Sequence, residues 1–168
     1  PFVEDYKIVF HGPFKVEVIV YDKSIVGYVS YMSSYMYFDR EGIVVESSGR
    51  KLEGIPWITG MDLGRVVLYQ PLPVADRRIF EEILNLTQQL SLYEIQADQI
   101  RFDAYNQPVL TIGQMEVILE SMGNIDSKLS VLNDILTDQP QLRGIRGTLE
   151  LGDYSETNDR AGITFKKK

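Results

Sequence analysis

The chain has 168 residues, 44% apolar and 24% charged, enough for one globular domain with a sizeable core, or one domain and a fragment of another. Lys plus Arg number 17 against 24 Asp plus Glu, a net charge of −7. This excludes a non-specific nucleic-acid binder and, apart from the Lys166–Lys168 tail, a polybasic membrane-surface module, because both draw their affinity from basic side chains.

The first third reads as strands. Residues 6–10 and 14–21 form a hairpin turned at His11-Gly12-Pro13, with Phe14, Val16, Val18 and Val20 on one face and Lys15 and Glu17 on the other. Residues 24–30, 35–38 and 43–46 are further strands, the last following a turn at Asp39-Arg40-Glu41-Gly42. A polar loop at 47–50 leads into 52–64, where Gly54, Pro56, Gly60 and Gly64 predict irregular, extended backbone. The period then changes. Asp76 is placed to cap a helix over 76–92 whose stripe is Ile79, Phe80, Ile83, Leu84, Leu86 and Leu90, with Leu84 expected in the core. Residues 95–104 and 108–112 predict a second hairpin turned at Tyr105-Asn106-Gln107, and 115–119 extends it. Asn124 or Asp126 caps a second helix with Leu129, Leu132, Ile135 and Leu136 as its stripe, ended by Gln139-Pro140. Residues 147–151 alternate as a late strand, 152–160 are a polar loop, and 161–165 form a last apolar segment. The order predicts an α+β fold, an antiparallel or mixed sheet with two amphipathic helices packed on it.

The residues assign no catalytic, cofactor or metal site. With no Cys and a single His, His11 in a turn, thiol chemistry is excluded and little remains for zinc or a Ser-His pair. There is no G-x-S-x-G elbow, no phosphate-binding glycine loop, and Asp62-Leu63-Gly64 is not an aspartic-protease signature. Asp153 to Asp159 spaces oxygen ligands as a calcium loop does, but Asn158 stands where that loop needs Gly and Thr164 where it needs Glu. Asn85-Leu86-Thr87 matches a glycosylation sequon in mid-helix, a coincidence of spelling. Tyr28, Tyr31, Tyr35 and Tyr37 are either sheet-face packing or an interface, with packing favoured, and Trp57 reads as a packed anchor.

Several segments together resemble a known family. Pro1-Phe2-Val3-Glu4 and the first hairpin, Tyr37-Phe38-Asp39-Arg40-Glu41-Gly42-Ile43-Val44, Gly54-Ile55-Pro56-Trp57-Ile58-Thr59-Gly60, the two helices flanking a hairpin, Gly147-Thr148-Leu149-Glu150-Leu151 and Ile163-Thr164-Phe165 occur in the order found in the bacterial cell-division family FtsQ/DivIB, with wording nearest to clostridial members. One departure is Glu120, where that family places Gly. The resemblance implies that residues 1–26 are the C-terminal part of a POTRA domain, entering as a remnant hairpin, and that 27–168 are the β domain. It implies an excised piece of a single-pass protein whose N-terminal transmembrane helix is missing here, on the extracytoplasmic side of the cell membrane at the division septum. The implied function is a non-catalytic scaffold that binds FtsL and FtsB/DivIC-type partners, with the septal penicillin-binding protein as a further partner, and no nucleic acid. Recognition is expected at the C-terminal end, where a last strand over 161–165 lies at the sheet edge beside 147–151 and offers Leu149, Leu151, Tyr154, Ile163, Thr164 and Phe165. An exported cell-wall or carbohydrate-binding module is the alternative, with Tyr31, Tyr35 and Trp57 as its groove.

Overall fold

The computed structural model describes residues 3–10, 12, 15–22, 25–103, 105–152, 154 and 163–168, the side chains of 3–7 and 19–22 excepted. His11, Phe14 and the stretch read for calcium spacing, other than Tyr154, lie outside the described residues. Strands β1 (Val3–Phe10) and β2 (Val16–Asp22) pair antiparallel, with Phe10 opposite Val16 and Ile8 opposite Val18. These four apolar side chains share one face and are exposed. The hairpin is a two-stranded sheet of its own and is not part of the main sheet.

The main sheet is mixed. Its strands are β3 (Ile25–Tyr31), β4 (Ser34–Asp39), β5 (Val44–Ser48), β6 (Trp57–Thr59), β7 (Gln99–Phe102), β8 (Pro108–Ile112), β9 (Met115–Ile118), β10 (Gly147–Glu150) and β11 (Thr164–Lys167). Their order across the sheet is β11-β10-β9-β8-β7-β6-β3-β4-β5, parallel at β10/β9, β7/β6 and β6/β3 and antiparallel elsewhere. The Asp39 carboxylate accepts from the Glu41 and Ile43 amides at 3.1 and 2.9 Å, and Gly42 takes φ +77°, so the predicted turn forms. Ser47 and Ser48, predicted as loop, instead finish β5 opposite Met36 and Tyr35.

The larger correction is β6, a central strand inside the segment predicted to be irregular. Its three residues are too few for a period to register, and Pro56 and Gly60 bracket it. Neighbours on both sides supply its bonds: Tyr28 N donates to Pro56 O at 3.1 Å and Trp57 N to Asp98 O at 2.9 Å. Gly60 ends it at φ +85°, where a Cβ would run into the Phe102 carbonyl.

Helices α1 (Arg77–Leu92) and α2 (Ile125–Asp138) cover one face of this sheet. Asp76 caps α1, accepting from Arg78 N at 2.9 Å and Ile79 N at 3.5 Å. Asn124 holds the N-cap position of α2 at φ +53°, yet its side chain makes no cap bond. Ile83, Leu86, Leu90, Leu129, Leu132 and Leu136 pack on Val29, Phe38, Ile58, Ile100, Leu110, Val117 and Leu149, all buried. Leu84 and Ile135 are only partly buried, because each lies one residue, about 100° of helix rotation, off the buried row. Pro140–Gly144 follows α2 as a short 3-10 helix.

Lys128 is buried in the core-facing row of α2, at 1% exposure. Its Nζ donates to Leu119 O at 2.7 Å and Ser121 O at 3.1 Å. Between those carbonyls Glu120 sits at φ +58°, a left-handed position where glycine is the ordinary residue. The ammonium ties down both sides of that turn, and the Glu120 side chain lies across Gly152, which has no Cβ to obstruct it.

Candidate protein-interaction site

The two edges of the main sheet differ. Along β5 a strap closes the first half: Val44 N donates to Gln70 O at 3.0 Å, Tyr69 N to Val44 O at 2.7 Å, and Leu72 N to Gly42 O at 2.9 Å. At the opposite edge, β11 pairs only with β10 among the described residues. Which of its backbone groups are free follows from alternation. Lys168 N donates to Arg146 O at 3.0 Å, and Leu151 N donates to Ile118 O at 2.9 Å on the other side of β10. Thr164, Lys166 and Lys168 therefore turn their N–H and C=O toward β10, whereas Ile163, Phe165 and Lys167 turn theirs outward.

Side chains alternate on the perpendicular axis. Phe165 lies on the helix side, partly buried, with its ring over Gly147; a Cβ there would stand 2.5 Å from the ring. An aromatic laid across a neighbouring strand's glycine fixes β11 in register. Thr164 and Lys166 lie on the other face. Lys166 Nζ meets Glu150 at 2.8 Å, and Lys168 Nζ meets Glu116 at 2.7 Å, with Arg101 3.5 Å from the same carboxylate. The hydrogen bond from Lys168 is the chief cause that holds the Glu116 carboxyl below its ordinary range.

Of the six residues expected at this edge, four lie along β11 or the groove beside it. Leu149 and Leu151 are core side chains, 2% and 0% exposed, so they form the floor under the edge and offer a partner no side-chain surface. Phe165 anchors β11, and Thr164 is exposed on the far face. Tyr154 and Ile163 are partly buried and line a groove of about 710 Å³ against the last two turns of α2. Of the expected strand 161–165, residues 161 and 162 lie outside the described residues, Thr164 and Phe165 are in β11, and the tail read as basic supplies its outer half. Three residues not singled out in the sequence also stand here: Lys167, whose amide turns away from β10 and has no partner among the described residues, and Asp134 and Asp138, which rim the groove. One signal was readable: two acids four apart at the end of a helix with no basic residue in its last turn, against the usual charge order.

The tyrosines divide. Tyr28, Tyr35 and Tyr37 lie on the face away from the helices, Tyr28 5.3 Å by ring centroid from each of the other two, with Lys51 Nζ 5.8 Å above the Tyr28 ring. The Tyr37 hydroxyl accepts from Leu52 N at 2.8 Å and donates to Arg50 O at 3.2 Å, and burial pushes its phenol above the usual value. Tyr31 is on the opposite face, packed on the core. Trp57 shares the tyrosine face and is 38% exposed, more open than a packed anchor. Tyr31, Tyr35 and Trp57 thus do not meet in one groove.

A second groove, of about 700 Å³, lies between Ile25, Val26, Gly54–Pro56 and the C-terminal end of α1; the titratable residue among those lining it is Glu94. Among the described residues, no group of three or more His, Asp or Glu could hold a metal ion, and no helix is long and apolar enough to cross a membrane. No protein-family model matches the chain, and a search of curated proteins finds no match.

Proposed function

We propose that this chain is a non-catalytic division scaffold of the FtsQ/DivIB kind, which takes a strand from an FtsB/DivIC-type partner, together with FtsL, onto the free edge of β11. On this reading residues 1–26 end a POTRA domain and 27–168 are the β domain. The whole protein is held in the cell membrane by one helix, with this part outside the cytoplasm at the septum, where it links its partners to septal peptidoglycan synthesis. The observation that carries the reading is the outward row of backbone groups at Ile163, Phe165 and Lys167, which pairs with no strand among the described residues, while a strap closes the first half of the β5 edge. Strand addition needs such a row, because main-chain bonds supply the pairing and alternate side chains supply the selectivity. The collinear segments named above support the choice of family.

The outward row also chooses the test. Proline at Thr164 or Lys166 would break the bond to β10, whereas Lys167→Pro removes an outward donor and leaves that ladder whole. Soluble FtsL–DivIC-type ectodomains from the same organism are the probe. Binding by the parent, lost by about tenfold or more in Lys167→Pro at unchanged thermal midpoint, is the expected result. No binding by the parent, or equal binding by Lys167→Pro, rejects the reading.

A further inference from the structure

The ends of the free edge carry opposite charge. At the Ile163 end, Val131, Ile135, Tyr154 and Ile163 floor the groove, and Asp134 and Asp138 stand exposed on its rim. Like charges four apart on a helix repel, and these two also lie where the helix dipole presents its negative end. Among the described residues no cation pairs with either, and Lys128 on the same helix is turned inward to Leu119 and Ser121. At the other end, Lys167 is exposed and shares the helix-side face with Ile163 and Phe165, while Lys166 and Lys168 are engaged by Glu150 and Glu116 on the opposite face. Among the described residues, then, two acids at the Ile163 end and one base at Lys167 have no ion-pair partner, and Ile163 and Lys167 are about 13 Å apart along the chain, four residues at about 3.3 Å each.

Resting on the edge-pairing reading, we propose that the partner strand is recognised by charge polarity. It carries Lys or Arg where it passes Asp134 and Asp138, an apolar residue two positions on beside Phe165, and Asp or Glu two further on beside Lys167. Positions i, i+2 and i+4 of a strand share one face, so a single extended segment meets all three demands. A strand of the reverse polarity would set its acid against the Asp pair and its base against Lys167, and like-charge contact rejects it. The groove takes the stem of the basic side chain on its apolar floor while the head meets the rim.

The test measures binding of the FtsL–DivIC-type ectodomains by calorimetry at about 50 mM and about 300 mM salt. Asp134→Asn combined with Asp138→Asn is expected to weaken binding about three- to tenfold and to flatten its salt dependence, because rim pairs are modest and screened. The same variant is expected to keep or raise the thermal midpoint, since it relieves repulsion in the free domain; a merely structural role for the two acids would lower it. Lys167→Gln, which removes the charge and keeps the edge amide, should weaken binding about two- to fivefold. Parent-like affinity in both the double Asn variant and Lys167→Gln, alongside loss in Lys167→Pro, overturns the charge code and leaves edge pairing standing. No binding by the parent, or full binding by Lys167→Pro, removes the edge-pairing reading and this inference with it.

Discussion

Phe165→Ala should detach β11 while the rest of the domain stays folded. Fully burying a Phe side chain is worth about 1.5–3 kcal/mol, and Phe165 is partly buried, so its burial contributes about 1–1.5 kcal/mol. Replacing an aromatic strand former by Ala adds a few tenths of a kcal/mol. The opening of β11 should become easier by about 1.5–2 kcal/mol, and exchange of the Lys166 and Lys168 amides, which point to β10, should speed by about ten- to thirtyfold. Gly147→Ala should act in the same direction, since its methyl group would occupy the space of the Phe165 ring. Native-state hydrogen exchange read amide by amide, at several low urea concentrations, is the assay. Local opening exposes little surface, so Lys166 and Lys168 should show a shallow urea dependence and Leu110, at the sheet centre, a steep one. Unchanged exchange at Lys166 and Lys168 in Phe165→Ala would refute the anchoring role of the ring. A urea dependence as steep as that of Leu110 would show that the edge opens only with the whole domain.

Two further outcomes follow from burial and charge. Leu132→Ala should cost about 2–5 kcal/mol in urea unfolding and Leu84→Ala about half as much, because the first side chain is fully buried and the second is not; equal losses would mean that the faces of the helices are rotated from those described. Lys168→Met should let the Glu116 pKa rise toward its ordinary value in a carboxyl-resolved NMR titration. Because the folded pKa is depressed, Glu116 contributes stability that is present above its unfolded value of about 4.3 and lost as pH falls through the folded one, so the variant should show a flatter acid limb below about pH 4.5.

The strands of the first hairpin, β3, β4 and β7–β10, and both helices were legible in the sequence, because each carries its own period over enough residues to be counted and is bounded by a start, turn or stop signal, as at Asp76, Gly42 and Pro140. Leu132 and Leu136 could be placed in the core by the same periodicity. β6 could not, since three residues between Pro56 and Gly60 become a strand only when Tyr28 and Asp98 arrive on either side with bonding partners. Nor could the division of Tyr31 from Tyr35, which depends on the two-residue turn at Met32 and Ser33 that sets the register of β3 on β4. The edge itself was foreseeable from the last apolar segment, but its register was not. Local propensity favours Ile163, Thr164 and Phe165 as a strand, yet the ring of Phe165 seats over Gly147 and draws the lysines into the ladder, so that Leu149 and Leu151 become floor and Lys167 becomes the free edge. Asp134 and Asp138 were two ordinary acids in the sequence. Only the packing of α2 beside the start of β11 sets them along the rim of one groove, because charge acts through space and their neighbours Tyr154 and Ile163 are remote in the chain.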